Sequence, residues 1–386
     1  MSKSLALISG KGGSGKTSLA LSMASMLSNC NLNVLLIDCD MSTNGATYFF
    51  EGKLEKKDSI VSSFDSFFSS ENNNISGTIK INDHWDFLPS IEKINGSRTK
   101  NHVYKSTESE ERKNIFDMIR EKYDVIIYDC QAGYTDILRF ILPFVDINLL
   151  VMEADAISSS SVRNLLLKLG SRLKGKTVYQ VFNKATEEEF DIYSKISAGT
   201  YFTNIETVMF DWKIRKAFAL AQIPDMDRTS ARYGEQVYNI CSILFKEDYL
   251  QEKLKKYELI IERNRIEEEQ RRISEVLSLR KETRKKEMKK NILMIYIIVF
   301  ILLAGMCVYS FLSMGSHIEI DLQLILFIIF MLFAAFSSIF LTWVSFLESY
   351  RGRKYRNEKF HQADKRLYEI EERKGEINSL LQKYDK

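Results

Sequence analysis

The stretch Gly10-Lys11-Gly12-Gly13-Ser14-Gly15-Lys16-Thr17 predicts a loop that binds phosphate groups. An apolar run, Leu5-Ala6-Leu7-Ile8, precedes this loop, and residues 18–27 have the pattern of a helix. Glycines let the backbone bend so that its N–H groups approach phosphate oxygens, and the N-terminus of a helix adds partial positive charge there. The order of strand, glycine-rich loop and helix is the context that a phosphate-binding loop requires.

Two side chains of this loop have defined roles in binding a nucleoside triphosphate. Lys16 is expected to reach the β- and γ-phosphates, and the hydroxyl of Thr17 is expected to bind Mg²⁺. The backbone around them is expected to surround the phosphates. The residues predicted to contact the nucleotide here are Gly10, Lys11, Gly12, Gly13, Ser14, Gly15, Lys16, Thr17 and Ser18.

Residues 1–245 alternate short apolar runs with helical patterns, which is typical of a doubly wound, mostly parallel sheet. Two of the runs end in acidic residues, the first in Asp38 and Asp40 and the second in Asp129. We therefore predict a P-loop NTPase domain over these residues, of which 41–110 are the least regular. The predicted strands after the first are residues 34–40, 123–129, 147–152, 177–182 and 205–210.

The C-terminal part of the chain predicts a long helix and two membrane-spanning segments. Residues 246–290 contain no Gly or Pro and are dense in Glu, Lys and Arg, which is typical of a helical or coiled-coil stalk arm. Residues 291–313 and 322–346 lack charged side chains and are long enough to cross a bilayer, with 314–321 as a short non-cytoplasmic loop. Residues 347–386 are predicted to be a cytoplasmic helix that packs on the stalk.

Basic residues flank both predicted spans on the same side of the membrane. The positive-inside rule places these flanks, and with them the N-terminal domain and the C-terminus, in the cytoplasm. We therefore expect a two-pass protein of the bacterial inner (cytoplasmic) membrane. The basic residues are Arg280, Lys281, Arg284, Lys285, Lys286, Lys289 and Lys290 before the first span and Arg351, Arg353, Lys354 and Arg356 after the second.

The tail has apolar residues at alternating steps of three and four from Phe360 to Tyr384, which predicts a heptad seam. The hairpin returns the tail to the side of the membrane that the arm left. We therefore expect residues 355–386 to pack antiparallel on residues 246–290. Self-association of tails from different subunits is the alternative.

The distribution of charge argues against nucleic acid as a partner of the N-terminal domain. The whole chain carries a net charge of +3, but residues 1–245 have 28 Lys and Arg against 30 Asp and Glu. A nucleic-acid surface needs clustered basic residues on that domain. The five cysteines have neither the spacing of metal ligands nor that of a disulfide framework.

Lys11 places a second lysine in the phosphate loop, and this resembles the deviant Walker A motif of the MinD/ParA family of ATPases. Residues 34–40, with their Asp-x-Asp end, resemble the first switch of that family. Residues 124–133, which end in Asp-x-x-x-Gly, resemble its Walker B strand and second switch. Residues 182–184 resemble the turn that contacts adenine, and residues 210–217 resemble a later segment on the base side.

The resemblance implies an ATPase in which two subunits enclose two ATP molecules. Lys11 would cross to the phosphates of the partner subunit and stabilise charge that develops during hydrolysis, as an arginine finger does. Asp40 would orient the attacking water, so that Lys11, Lys16 and Asp40 are the implied catalytic residues. Thr17 would bind Mg²⁺ directly.

The resemblance also implies residues that hold the metal and the base. Asp129 would hold the waters of Mg²⁺, while Asp38 would either do the same or serve as a structural carboxylate. Asn183 would hydrogen-bond adenine, and Asp211 belongs to the base-side segment. ATP is favoured over GTP because a guanine-binding N-K-x-D motif needs an acid at the position of Thr186.

The leading hypothesis is a membrane-anchored ATPase whose ATP-dependent dimerisation and slow, partner-stimulated hydrolysis act as a conformational switch. The stalk would carry the change to the bilayer or to an unidentified protein partner, and the membrane helices leave higher oligomers open. One alternative is a pore-forming or bilayer-perturbing effector gated by the ATPase, for example in bacterial defence. A second alternative, a bacterial tyrosine kinase, is disfavoured by Lys11 and by the absence of a tyrosine cluster in the tail.

Overall fold

The chain divides into two compact units. The head unit is Met1–Arg265 together with Ser379–Lys386, and the arm unit is Ile266–Asn378. The predicted loop 314–321 and the second predicted span, 322–346, lie outside the described residues. The computed structural model describes residues 2–50, 63–64, 78–90, 110–189, 202, 204–226, 229–313, 362–363 and 365–384.

Strands of the head unit form one sheet in the described residues. They are β1 (Lys3–Ile8), β2 (Val34–Cys39), β3 (Ile79–Asn82), β4 (Trp85–Leu88), β5 (Val125–Cys130), β6 (Ile147–Met152), β7 (Thr177–Ala185) and β8 (Asn204–Met209). Their order is β3-β4-β2-β5-β1-β6-β7-β8, and neighbours are parallel except β3 and β4. The predicted mostly parallel α/β sheet is therefore confirmed, with an antiparallel edge that the sequence did not predict.

Helices follow most of the strands, and side-chain caps mark the start of two of them. They are α1 (Lys16–Asn29), α2 (Gly45–Phe49), α3 (Glu110–Lys122), α4 (Asp136–Ile141), α5 (Ala156–Leu169), α6 (Trp212–Ala219), α7 (Ala231–Leu244), α8 (Asp248–Ser313) and α9 (365–384). Helix α5 begins after Asp155, whose carboxylate accepts from the Ser158 N–H at 2.7 Å. Helix α7 begins after Ser230, whose hydroxyl accepts from the Tyr233 N–H at 3.2 Å. Both residues are preferred N-caps because their oxygens satisfy N–H groups that the helix leaves unpaired.

Helix α1, which follows the phosphate loop, is almost entirely buried. Eleven of its 14 residues are buried, including the small side chains Ala20 and Ala24, so neighbouring elements surround it. It packs against β2, β5 and α7, and the hydroxyls of Ser22 and Tyr233 lie 3.0 Å apart across the contact with α7. Burial of this helix fixes the position of the loop at its N-terminus.

The head unit continues past residue 245, where the sequence predicted a domain boundary, into the first turns of α8. Leu250, Leu254 and Tyr257 of that helix are fully buried, and the compact unit extends to Arg265. The first turns of the predicted stalk arm therefore pack in the head unit.

In the arm unit, α9 contacts α8 of the same chain through ion pairs. Arg366 pairs with Glu269 at 2.8 Å, and Lys374 pairs with Glu267 at 3.2 Å. Contacts that advance along one helix while receding along the other are antiparallel. These contacts lie within one chain, while packing of residues 347–386 on the stalk, self-association of tails and coiled-coil geometry all stay predictions.

Candidate nucleotide-binding site

The phosphate loop joins β1 to α1 in a conformation that needs glycine at defined positions. Gly13 (φ +82°) and Gly15 (φ +88°) adopt left-handed backbone angles that other residues rarely accept. A Cβ atom on Gly15 would overlap the amide of Asn183, and one on Gly10 would overlap the backbone of Ser161 in α5. The loop is therefore closely enclosed by β7 and α5 as well as bent.

A cavity of about 650 Å³ opens at the loop, large enough for a nucleotide-sized ligand. One end is polar and contains the loop and the residues after β2, and the other is lined by Phe210, Phe218 and Tyr233. This polarity suits a ligand with a charged end and an aromatic end. Of the predicted residues, those that line the cavity are Gly12, Gly13, Gly15, Lys16, Thr17, Ser18, Asp40, Asn183 and Asp211. Those that are not among its lining residues are Gly10, Lys11, Ser14, Asp38 and Asp129.

Lys16 is a buried lysine held at the base of the loop. Its side chain donates to the Ser9 hydroxyl at 2.7 Å, and that hydroxyl donates to the Lys11 carbonyl at 2.9 Å. Ser9 therefore ties the ammonium to the loop backbone. An ammonium oriented in this way at the polar end of the cavity can contact phosphate oxygens.

Asp129 at the end of β5 is the strongest candidate for holding a metal ion. It is 1% exposed, and neither carboxylate oxygen has a hydrogen-bond partner among the described residues. Burial and the adjacent charge of Asp38 raise its pKa, and the charge of Lys16 opposes that shift. Because an unpartnered buried carboxylate is costly, the site fits Mg²⁺, which would bind there through Thr17 and Asp129 and neutralise phosphate charge.

Asp38, by contrast, is saturated by protein donors. Its carboxylate accepts from the Asp40 N–H at 2.9 Å, from the Thr47 N–H at 2.9 Å and hydroxyl at 2.7 Å, and from the Ser90 hydroxyl at 3.3 Å. Burial raises its pKa, although these hydrogen bonds oppose the shift. They favour the structural alternative, in which Asp38 joins the ends of β2, α2 and β4.

Asp40 lines the cavity, and its carboxylate is oriented by Ser42 and Thr43. One oxygen accepts from the Ser42 and Thr43 N–H groups at 3.0 and 2.9 Å, and the other accepts from the Thr43 hydroxyl at 2.7 Å. Burial would raise the pKa of Asp40, but these hydrogen bonds outweigh burial and lower the pKa below its ordinary value. The group is therefore ionised at neutral pH and can accept a proton or orient a water molecule.

Asn183 and Asp211 both line the cavity, Asn183 beside the phosphate loop and Asp211 next to Phe210 at the aromatic end. The Asn183 amide N–H₂ donates to the Ser14 carbonyl at 2.9 Å, which leaves its oxygen as the acceptor for a ligand. The Asp211 carboxylate accepts from the Lys213 N–H at 2.7 Å, which caps α6, and from the Ser230 hydroxyl. Asp211 therefore shapes the wall at this end and joins α6 to α7.

Lys11 is not among the lining residues of the cavity and pairs with acids of its own chain. Its ammonium lies 2.8 Å from a Glu153 oxygen and 3.0 Å from an Asp155 oxygen. The hydrogen bonds with these two acids raise the pKa of Lys11. The side chain is 28% exposed, so it lies at the surface beside the phosphate loop.

Comparisons with known proteins agree with this geometry. Residues 2–179, just under half of the chain, match a protein family described as the AAA domain. A plasmid partition protein from Borrelia burgdorferi B31 bound to AMPPNP is 18% identical, with a TM-score of 0.50 over 64% of this chain and 99% of that chain. MinD cell division protein of Aquifex aeolicus is 18% identical, with a TM-score of 0.50 over 64% and 98% of the two chains. The head has the fold of MinD-type P-loop ATPases.

A third solved structure, the MinC:MinD cell division protein complex of Aquifex aeolicus, gives the same result for the MinD-like head. It is 16% identical, with a TM-score of 0.51 over 64% of this chain and 97% of that chain. No curated protein matches this sequence. At these identities the similarity shows the fold of the head.

Sequence reasoning missed several residues that the MinD-like head brings to the site. Ser42 and Thr43 orient Asp40, and Phe218 lies at the aromatic end of the cavity. Glu153 and Asp155 surround Lys11. The Asp-x-x-Ser cap at the start of α5 was a readable signal for Asp155, whereas no local pattern indicates the contacts of the others.

Proposed function

We propose that this chain binds ATP with Mg²⁺, hydrolyses it slowly, and uses ATP-dependent dimerisation of its head as a conformational switch. The observation that carries the proposal is the second lysine of the loop, Lys11, which lies at the surface outside a cavity that Lys16 and Thr17 already line. A lysine so placed is positioned to reach a second subunit. The similar plasmid partition protein was solved with AMPPNP, an ATP analogue.

The residues of the head divide the work of hydrolysis among them. Lys16 and the loop backbone bind the phosphates, and Thr17 and Asp129 hold Mg²⁺, which neutralises charge on the phosphates. Asp40 orients the attacking water, and Lys11 of one subunit adds positive charge at the phosphates of the other. Asn183 accepts a hydrogen bond from the base, which fits the amino group of adenine.

Dimerisation would be transmitted through α8, because the first turns of this helix contact elements that line the cavity. Tyr233 lines the cavity, and the next residue, Gly234, lies against the Tyr257 hydroxyl of α8. That hydroxyl donates to the Met226 carbonyl at 2.8 Å in the segment between α6 and α7. A movement at the aromatic end of the cavity would therefore displace the residues on which the first turns of α8 pack. We propose that α8 and α9 transmit this displacement to the membrane or to a protein partner.

We also propose that the chain is anchored in a bacterial inner membrane by two spans. Within the described residues, Met288–Met306 is apolar and long enough to cross a membrane, with a mean hydropathy of 1.9 and no buried residue. The basic residues before this segment favour a cytoplasmic position for its N-terminal end. The sequence of residues 322–346 supplies the second span.

The membrane proposal predicts opposite labelling of two positions in intact bacteria. In a variant without the native cysteines, Ser316→Cys between the spans should react with an impermeant maleimide, because that loop faces outward. Ser379→Cys in the tail should react only after the cells are permeabilised. Equal labelling of the two positions in intact cells, or release of the chain by alkaline carbonate, would contradict a two-pass topology.

The test of the switch is the oligomeric state of the full-length chain in mild detergent, with Mg²⁺ and either ATP or ADP. We expect light scattering to show a larger fraction of head-to-head dimer with ATP. Lys11→Ala should still bind ATP but lose most of this increase and at least about 100-fold in hydrolysis rate, since a charge supplied in trans is worth that much. Wild-type protein with the same oligomeric state in both nucleotides would refute the proposal.

A further inference from the structure

The Lys11 ammonium is held by two carboxylates of its own chain, one from the end of β6 and one from the start of α5. Glu153 and Asp155, here called the acid pair, lie 2.8 and 3.0 Å from it. The other oxygen of Glu153 lies 3.1 Å from the Lys184 ammonium, which also donates to the Gly13 carbonyl. The acid pair thus connects Lys11 to the phosphate loop and to the end of β7.

The acid pair is charged and oriented at neutral pH. Burial would raise the pKa of Asp155, but hydrogen bonds from Ser158 and Lys11 outweigh burial and lower the pKa to about 2. The Ser158 N–H and hydroxyl donate to its two oxygens at 2.7 and 2.8 Å, which fixes the carboxylate. Hydrogen bonds from Lys11 and Lys184 similarly outweigh burial and lower the pKa of Glu153. Two negative groups therefore attract Lys11 much as phosphate oxygens would.

We propose that the acid pair is an intramolecular latch that competes with the partner subunit's phosphates for Lys11. The inference rests on the proposed function, in which Lys11 crosses between subunits. A lysine cannot remain between Glu153 and Asp155 and also extend into the nucleotide site of a second head. Breaking these pairs is thus a cost of dimerisation, and the acid pair raises the ATP concentration at which the heads dimerise.

The size of the effect follows from the exposure of the pairs. Surface ion pairs contribute little individually, and Lys11 is partly exposed, so the latch tunes the switch rather than blocking it. Neutral side chains of the same shape remove the charge with little change in packing. Glu153→Gln combined with Asp155→Asn should lower the ATP concentration for half-maximal dimerisation by about three- to tenfold. Asparagine at 155 also retains the capacity to cap α5.

The experiment titrates ATP with Mg²⁺ into the full-length chain in mild detergent and measures the dimer fraction by light scattering. Four proteins are compared with wild type: the double variant, Lys11→Ala, the double variant combined with Lys11→Ala, and Asp83→Asn. Asp83 pairs with Lys80 at 2.9 Å on the β3–β4 turn, so its variant is a matched loss of an exposed, paired acid. We expect a shift to lower ATP in the double variant alone.

The combination with Lys11→Ala separates a latch from a merely structural role. If the acid pair acts through Lys11, neutralising it does not shift the ATP concentration for the residual dimerisation that Lys11→Ala retains; a shift of the same size in that background would overturn the proposal. An unchanged or higher ATP requirement in the double variant would also overturn it, while wild-type dimerisation with ATP would leave the proposed function standing. Wild-type heads that never dimerise would instead refute the proposed function.

Discussion

Lys16→Ala is expected to abolish ATP hydrolysis by this chain and to weaken ATP binding strongly. Lys16 is 7% exposed and its ammonium donates to the Ser9 hydroxyl, so this group is oriented by the protein itself. Removing one oriented charge that stabilises a transition state lowers the rate by about 100- to 1,000-fold. For Lys16→Ala the rate of hydrolysis should fall by at least about 1,000-fold, the upper end of this range, because the same charge also binds the phosphates in the ground state. Calorimetric titration with a non-hydrolysable ATP analogue and a phosphate-release assay measure both effects.

The Lys16→Ala variant also has an expected pH signature that does not depend on activity. Burial and the charge of Asp38 raise the pKa of Asp129 to about 7 in the folded protein, and Lys16 opposes this. A carboxyl whose pKa is higher in the folded state than in the unfolded state stabilises the fold at low pH and loses that contribution as pH rises through its folded pKa. Without Lys16 the pKa rises further, so the melting temperature should fall more between pH 6 and pH 8 than in wild type.

Lys176→Ala is the control for loss of an ammonium elsewhere in the head. Its side chain donates to the Pro143 and Val145 carbonyls at 2.9 and 3.2 Å and does not line the cavity. We expect it to retain ATP hydrolysis and the wild-type dependence of melting temperature on pH. Hydrolysis by Lys16→Ala within about threefold of wild type would remove this lysine from the proposed mechanism.

Short-range patterns were sufficient to predict the part of the site that lies on one loop and two strand ends. The phosphate loop can be recognised from its sequence because its left-handed backbone angles require glycine at positions 13 and 15. The acids can be placed because residues that end neighbouring parallel strands meet at one edge of the sheet. Asp38 and Asp129 are register partners in β2 and β5, as this argument requires. What the pattern could not decide was which of the two is free to hold a metal.

That distinction depends on contacts between residues far apart in the sequence. Asp38 is occupied because Ser90, from the irregular region, and Thr47 donate to it, whereas Asp129 has no such donor among the described residues. The position of Lys11 has the same origin, since Glu153 and Asp155, which follow β6, lie 142 and 144 residues further along the chain. Long-range packing brings these groups together, and such contacts cannot be predicted from the local sequence pattern.

Asp40→Ala is expected to leave ATP bound while hydrolysis falls by about 100- to 10,000-fold, the range that a positioned base contributes. Asp40 lines the cavity, yet its four hydrogen bonds come from the loop it begins rather than from the phosphate loop. Its removal should therefore spare the groups that bind ATP. Because hydrolysis is what returns the proposed switch to its open state, the variant should accumulate as an ATP-loaded dimer.

The measurement is the lifetime of that dimer after excess ATP is removed, with bound nucleotide identified by chromatography. Ser42→Ala is the matched control, because it removes the hydroxyl that donates to Asp40 at 2.8 Å but keeps the carboxylate and the backbone donors. In the wild-type protein, the hydrogen bonds from Ser42 and Thr43 lower the pKa of Asp40. Protonation of Asp40 should therefore not reduce the rate of hydrolysis between pH 8 and pH 6. A monomeric Asp40→Ala chain with ATP still bound would show that nucleotide and dimerisation are not coupled, and it would remove the basis of the switch.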